Sequence, residues 1–285
     1  MSAMNAQEPS PVGETSKVRL LRRRGKSRVP LRHRMPADKL RKGVYLIPSL
    51  FTAGNLMCGF VSIIATFNGE FINAALFIIL AHVLDGIDGY AARLTRTTSQ
   101  FGVEFDSLAD VVSFGVAPAV LVYLWALVPW QNWGWLAACT YVVCGALRLS
   151  RFNVQAQLVS KNHFVGLPIP AAAQMITSTV IMYYYLGGAG SPSRHLTLLL
   201  VIYGLAALMV SNIPYFSLKN NDLRKRHPIW MLVSGIILIT LFIAERHLMF
   251  FTMVLVYTLS GPLLWCLTML RHQRETKRSP AKAMP

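Results

Sequence analysis

Eight apolar runs, near residues 44–67, 71–92, 107–128, 133–152, 168–187, 195–213, 229–245 and 248–270, follow one another with short polar breaks between them. A helix needs about 20 apolar residues to cross a hydrocarbon core roughly 30 Å thick. In lipid every backbone N–H and C=O must be satisfied within its own segment, so runs of this length fold as helices. The pattern predicts an all-α, polytopic transmembrane helical bundle of about eight spans. Of the 285 residues 54% are hydrophobic and 14% charged, against roughly a quarter charged in a soluble domain. No soluble domain and no repeat interrupts the runs.

The few charges are mostly basic, giving a formal net charge of +16. Such a chain suits nucleic acid or an anionic membrane surface, and the apolar runs favour the bilayer, so no nucleic-acid partner is expected. An even span count puts both termini on one side. That side then holds the 12 basic residues of 17–42, Arg93, Arg96, Arg148, Arg151, Lys161, Lys219, Arg224, Lys225, Arg226 and five beyond 270, leaving Arg194 and Arg246 opposite. The positive-inside rule makes that side the cytoplasm. The expected location is the cell (inner) membrane.

The expected organisation is a basic, largely disordered cytoplasmic tail over 1–43, a transmembrane domain over 44–270 that carries the catalysis, and a basic cytoplasmic tail over 271–285. The first tail lacks an apolar stretch near its start, so it does not read as a secretory signal. Its charge suits contact with anionic lipid. Cys58, Cys139, Cys144 and Cys266 all lie in apolar runs without metal-ligand spacing, and they read as small buried hydrophobes.

Five of the 12 acidic residues fall between positions 85 and 110: Asp85, Asp88, Glu104, Asp106 and Asp110. A carboxylate inside a span costs roughly 2.5–3.5 kcal/mol on insertion scales, and several together repel one another. A metal ion is the simplest neutralising agent. Asp85 and Asp88 are three residues apart and Asp106 and Asp110 four apart, so each pair shares a helix face. Asp85 lies fourteen residues after Phe71, about 21 Å along a helix, and so about 9 Å short of the cytoplasmic edge of the core. The third run starts near that edge, so both pairs meet at similar depth. Oxygen-only ligation suits Mg²⁺ or Mn²⁺ over zinc. Gly86, Gly89, Ala91, Ala92 and Gly102 thin the helices around the acids, which lets helices pack closely or admits a phosphate ester. Arg93 is placed to hold a phosphate oxygen.

Read together, Asp85-Gly-Ile-Asp88-Gly89-Tyr-Ala-Ala92-Arg93, eight further residues, and Gly102-Val-Glu-Phe-Asp106-Ser-Leu-Ala-Asp110 resemble the signature of the CDP-alcohol phosphatidyltransferase family at every fixed position. Pro48–Asn55 looks like that family's nucleotide-side segment. Arg148–Asn153, Gly166–Ala171 and Ser211–Lys219 look like its phosphatidylserine synthase branch. The resemblance covers roughly 44–220. It implies that Asp85, Asp88, Asp106 and Asp110 bind two divalent metals, that Asp110 is also the general base, and that Thr52, Asn55, Gly89, Ala92, Arg93 and Gly102 contact the CDP-lipid. The implied reaction passes the phosphatidyl group of CDP-diacylglycerol to L-serine, releasing CMP. Family members are commonly homodimers, so a homodimer is expected.

Arg148, Arg151, Asn153 and Lys219 fall on the same side as the aspartates. They are the expected acceptor or phosphate contacts, because a guanidinium holds a carboxylate through two parallel hydrogen bonds. The aspartate signature alone does not separate serine from glycerol phosphate, inositol phosphate or choline as acceptor. An ion-coupled transporter also carries intramembrane acids, and a non-catalytic scaffold would not need them.

Overall fold

The apolar runs become helices. In the computed structural model, which describes residues 37–95, 100–158, 166–190, 194–213, 215 and 245–278, α1 spans Ala37–Phe67, α2 Phe71–Thr95 and α3 Gln100–Asp110. The third helix does not stop at Asp110. It widens into a π-helical turn, Val111–Val116, resumes as α4, Ala117–Val122, widens again over Tyr123–Leu127 and ends in a 3-10 turn, Val128–Trp130. Then follow α5 Asn132–Leu158, α6 Ile169–Tyr185, α7 Leu196–Val210 and α8 Arg246–Arg278.

The described residues bear out an all-helical membrane bundle but leave the expected count of about eight spans unconfirmed. Among the described residues, four stretches are long and apolar enough to cross a membrane by length and composition: Ser49–Phe67, Phe71–Ala91, Gln100–Trp130 and Arg246–Leu267. The apolar helix Leu196–Val210 is shorter. Its 15 residues reach about 23 Å and the 17 of α6 about 26 Å at 1.5 Å per residue, both short of a core of roughly 30 Å. Helix α5 covers the expected fourth run but includes Arg148 and Arg151. The run at 229–245 lies outside the described residues, except Glu245. Helix α1 begins at Ala37 and α8 continues to Arg278, so helix extends past both ends of the expected 44–270 domain.

The helices are amphipathic in the inverted sense. On α1 the buried positions include Thr52, Asn55, Gly59, Ser62, Ala65 and Thr66, while Leu50, Met57, Phe60, Ile64 and Phe67 point outward. On α2 the small Ala74, Ala75 and Ala81 are buried while Ile72, Leu76, Leu80 and Val83 are exposed. An outward apolar face is stable against lipid tails, and small or polar residues let the helices approach one another. The interior is filled by Ile78, Phe114, Leu121, Trp125, Tyr141 and Met209, each at most 1% exposed. Tyr141 keeps its hydroxyl satisfied by donating to the Phe114 carbonyl at 3.1 Å.

Two packing details fix the helices beside the acids. A Cβ on Gly59 of α1 would lie 2.8 Å from Ser113 Cα in the π-helical turn, so only glycine allows this approach. Gly59→Ala is expected to cost about 1–3 kcal/mol through overpacking. A detergent melting curve checks this, and an unchanged midpoint contradicts it. Gly166 sits at φ +83°, where a side chain is strained. Its N–H donates to the Ile213 carbonyl at 2.9 Å, and the Leu167 N–H to the Leu208 carbonyl at 3.0 Å. The start of α6 is thereby tied to the end of α7, joining two of the segments singled out in the sequence.

Candidate active site

Three helices supply the acidic site. Asp85 and Asp88 project from α2, Asp106 and Asp110 from α3. One ligand oxygen from each of Asp85, Asp88 and Asp106 lies within 4.8 Å of the others. Asp110, one turn beyond Asp106, is 9% exposed and Asp88 4%. Helix α1 holds two of the carboxylates in place. Thr52 Oγ1 donates to Asp88 Oδ2 at 2.9 Å, and Asn55 Nδ2 donates to Asp110 Oδ1 at 3.4 Å. Asn55 is itself anchored through its backbone, whose carbonyl accepts from Ser113 Oγ at 2.9 Å. Ser113 belongs to the π-helical turn that begins directly after Asp110. Such insertions recur at functional sites. Here the turn brings Ser113 against α1 and so locks Asn55 opposite Asp110.

Helix α5 closes the site from another side. Arg148 is partly buried, with Nε lacking a hydrogen-bond partner. Its guanidinium carbon lies 5.6 Å from the Phe152 ring centroid. Asn153 Nδ2 donates to Ser107 Oγ at 2.8 Å, bracing the end of α5 against α3 one residue from Asp106. Arg151 is partly buried on the same helix. Lys219 lies outside the described residues.

Residues 45–213 match the family model described as CDP-alcohol phosphatidyltransferase. The chain belongs to the CDP-alcohol phosphatidyltransferase family. Curated relatives include a CDP-diacylglycerol–serine O-phosphatidyltransferase of Helicobacter pylori, 40% identical over 188 residues that cover 65% of this chain and 76% of the relative. One of the same description from Bacillus subtilis is 37% identical over 175 residues, 61% of this chain and 92% of the relative. An archaetidylserine synthase of Methanothermobacter thermautotrophicus is 38% identical over 183 residues, 64% and 74% respectively.

CDP-alcohol phosphatidyltransferases work with divalent metal, and the residues of this member fit such an ion. Three carboxylates converge, and Asp106 Oδ1 is buried without a hydrogen-bond partner. Both are costly without a cation. Cation binding is therefore expected to raise the melting temperature, by about 2.7 kcal/mol of stabilisation at a hundred times Kd. In Asp106→Asn the shift should shrink sharply while the cation-free protein melts no lower, since a crowded charge has gone. An undiminished shift in the variant would remove Asp106 from the metal set.

The structure places the remaining sequence-derived candidates unequally. Thr52 and Asn55, expected on the nucleotide side, direct side-chain hydrogens to Asp88 and Asp110. Gly89 and Gly102 are partly buried on α2 and α3, flanking the carboxylates in sequence. Ala92 and Arg93 lie in the last turns of α2. Ser113 and Gly59 join the site without having stood out in the sequence. Their signal was the spacing Asn55-Gly59, one turn apart on the polar face of α1.

Proposed function

We propose that this chain transfers the phosphatidyl group of CDP-diacylglycerol to L-serine, forming phosphatidylserine and CMP in phospholipid biosynthesis. The observation that carries this reading is the convergence of Asp85, Asp88 and Asp106 from α2 and α3, with one ligand oxygen of each within 4.8 Å of the others and Asp110 one turn further along α3. The serine acceptor is supported by the relatives named as serine transferases.

Asp85, Asp88 and Asp106, with Asp110 beside them, would hold divalent ions, Mg²⁺ or Mn²⁺ and two by family resemblance. Bound there, the ions supply Lewis-acid stabilisation of charge on phosphoryl oxygens. The chain's own groups do the rest. Thr52 orients Asp88, and Asn55 occupies one oxygen of Asp110. The other Asp110 oxygen takes the proton of the serine hydroxyl, the role of a positioned general base. The serine oxygen forms a bond to the phosphorus of the phosphatidyl group, the bond from that phosphorus to the CMP oxygen breaks, and CMP leaves with the electron pair. Gly89, Ala92 and Gly102 leave room for the CDP moiety, and Arg93 grips a phosphate oxygen. Arg148 receives the serine carboxylate, with Arg151 and Lys219 adding positive charge on that side.

The reaction takes place at the cytoplasmic face of the cell membrane, with both termini in the cytoplasm and the basic N-terminal tail against anionic lipid. The working unit is a homodimer. The discriminating experiment offers purified protein CDP-diacylglycerol with L-serine, glycerol 3-phosphate, inositol phosphate or choline, and follows CMP release. Serine is expected to be the preferred acceptor; preference for any of the others overturns the assignment. Arg148→Lys is expected to raise the KM for serine by about tenfold or more, because lysine keeps the charge but loses the two-pronged geometry.

A further inference from the structure

Helix α2 carries an ionisable side chain at mid-depth that the acidic cluster does not use. His82 lies eleven residues after Phe71, the start of α2, or about 17 Å along the helix. That is near the middle of a core roughly 30 Å thick. Ionisable residues at such a depth are rare, turn toward the bundle interior or a polar cavity, and mark substrate paths.

The imidazole is held against the interior. Its ring meets that of Phe114 edge-on, with centroids 5.7 Å apart at 81°, and Phe114 is fully buried. His82 precedes Asp85 by three residues and Phe114 follows Asp110 by four, so each ring lies one turn from an aspartate of its own helix. The two rings form a layer about 5.4 Å, one helical turn, deeper than the acids.

Space is open beside this layer. Ile78 and Ala75, four and seven residues before His82, are fully buried, yet His82 and Gly86, one turn further on, are exposed. Glycine in a span commonly serves close helix packing, but a Cβ on Gly86 would meet nothing within 4 Å. The outward stripe of α2, with Leu80, Val83 and Ile87, runs alongside. A lane thus leads from the apolar surface past His82 and Gly86 to the carboxylates. A lipid phosphate ester fits it in one orientation. Its phosphate lies at the acids and its chains run into the bilayer, so the glycerol and its acyl esters fall at the depth of the two rings. An ester carbonyl only accepts hydrogen bonds, and an imidazole N–H donates one.

We propose that the His82 imidazole donates a hydrogen bond to an acyl-ester carbonyl of the lipid donor, with Phe114 setting the ring and Gly86 leaving room for the glycerol. His82 is then a specificity residue for diacyl over dialkyl donors. This rests on the reading that CDP-diacylglycerol binds with its phosphates at the aspartates.

The parent protein, His82→Phe and His82→Gln are compared with Mg²⁺ and L-serine on CDP-diacylglycerol and on the matching CDP-dialkylglycerol, whose ether links lack the carbonyls. CMP release gives the KM for each donor and for serine, and the melting temperature is recorded. In the parent the ether donor is expected to show a KM about threefold to tenfold above that of the ester donor, the loss of one hydrogen bond. His82→Phe keeps a ring against Phe114. It is expected to raise the ester-donor KM by the same factor and abolish the preference, with the serine KM and melting temperature near those of the parent. His82→Gln keeps an N–H and is expected to restore the preference. Equal KM values for the two donors in the parent, or a preference that survives in His82→Phe, overturn the proposal and leave the donor reading standing. No CMP from the parent with either donor overturns both. A change in the serine KM alone also overturns the proposal. Should His82→Phe not fold, Gly86→Leu, whose side chain has open space, is measured instead: a rise in the KM for CDP-diacylglycerol alone supports the proposal and an unchanged value overturns it.

Discussion

Asp110→Asn is expected to lower kcat by about a hundredfold to ten-thousandfold, the usual contribution of a positioned general base. The amide keeps the size of the carboxylate and still offers one oxygen to Asn55 Nδ2, the partner at 3.4 Å. It cannot take a proton from the acceptor hydroxyl. A group that acts mainly in the transition state lowers kcat and kcat/KM together, so the KM for CDP-diacylglycerol should change little. Asp110 is held from one side by Asn55, which the π-helical turn fixes through Ser113. That rigidity keeps another group from taking over as base in the variant. Near-normal turnover would remove Asp110 from the role of base.

Stripping divalent cation is expected to abolish measurable turnover, and returning Mg²⁺ or Mn²⁺ to restore it. The physical ground is the crowding of Asp85, Asp88 and Asp106, whose ligand oxygens lie within 4.8 Å. Such a set is repulsive alone and is relieved by a cation. A cation at a reacting phosphoryl group contributes several kcal/mol of charge stabilisation, which is a thousandfold or more in rate at about 1.4 kcal/mol per decade. Full turnover after exhaustive chelation would contradict this directly.

The aspartates were legible in the sequence because their spacing is local. Intervals of three and four residues report a shared helix face whatever surrounds it. The long apolar runs were legible for the same reason. What failed to show depends on contacts between distant segments. Nothing around Val111–Val116 marks a π-helical turn, which is stabilised by the approach of Gly59 to Ser113, 54 positions apart in the numbering. Thr52 and Asn55 read as part of a nucleotide-side segment, but which groups they bond depends on how α1 lies against α2 and α3. Apolar composition also sets no helix end: α6 and α7 stop at Tyr185 and Val210, leaving helices of 17 and 15 residues. The Tyr215 hydroxyl donates, across 43 positions, to the Thr258 carbonyl that Pro262 leaves without a helical partner in α8. Gly261-Pro262 signals a break in a helix, but not which residue fills it.

The central claim is that this bundle uses its aspartates to move a phosphatidyl group from CDP-diacylglycerol to serine. Its most direct test is the joint measurement of CMP and phosphatidylserine from one sample of purified protein, CDP-diacylglycerol, L-serine and Mg²⁺ or Mn²⁺, beside Asp106→Asn. Equal molar amounts of the two products are expected from the parent protein and neither from the variant. Absence of both products from the folded, cation-loaded parent protein, or CMP released without phosphatidylserine, would contradict it.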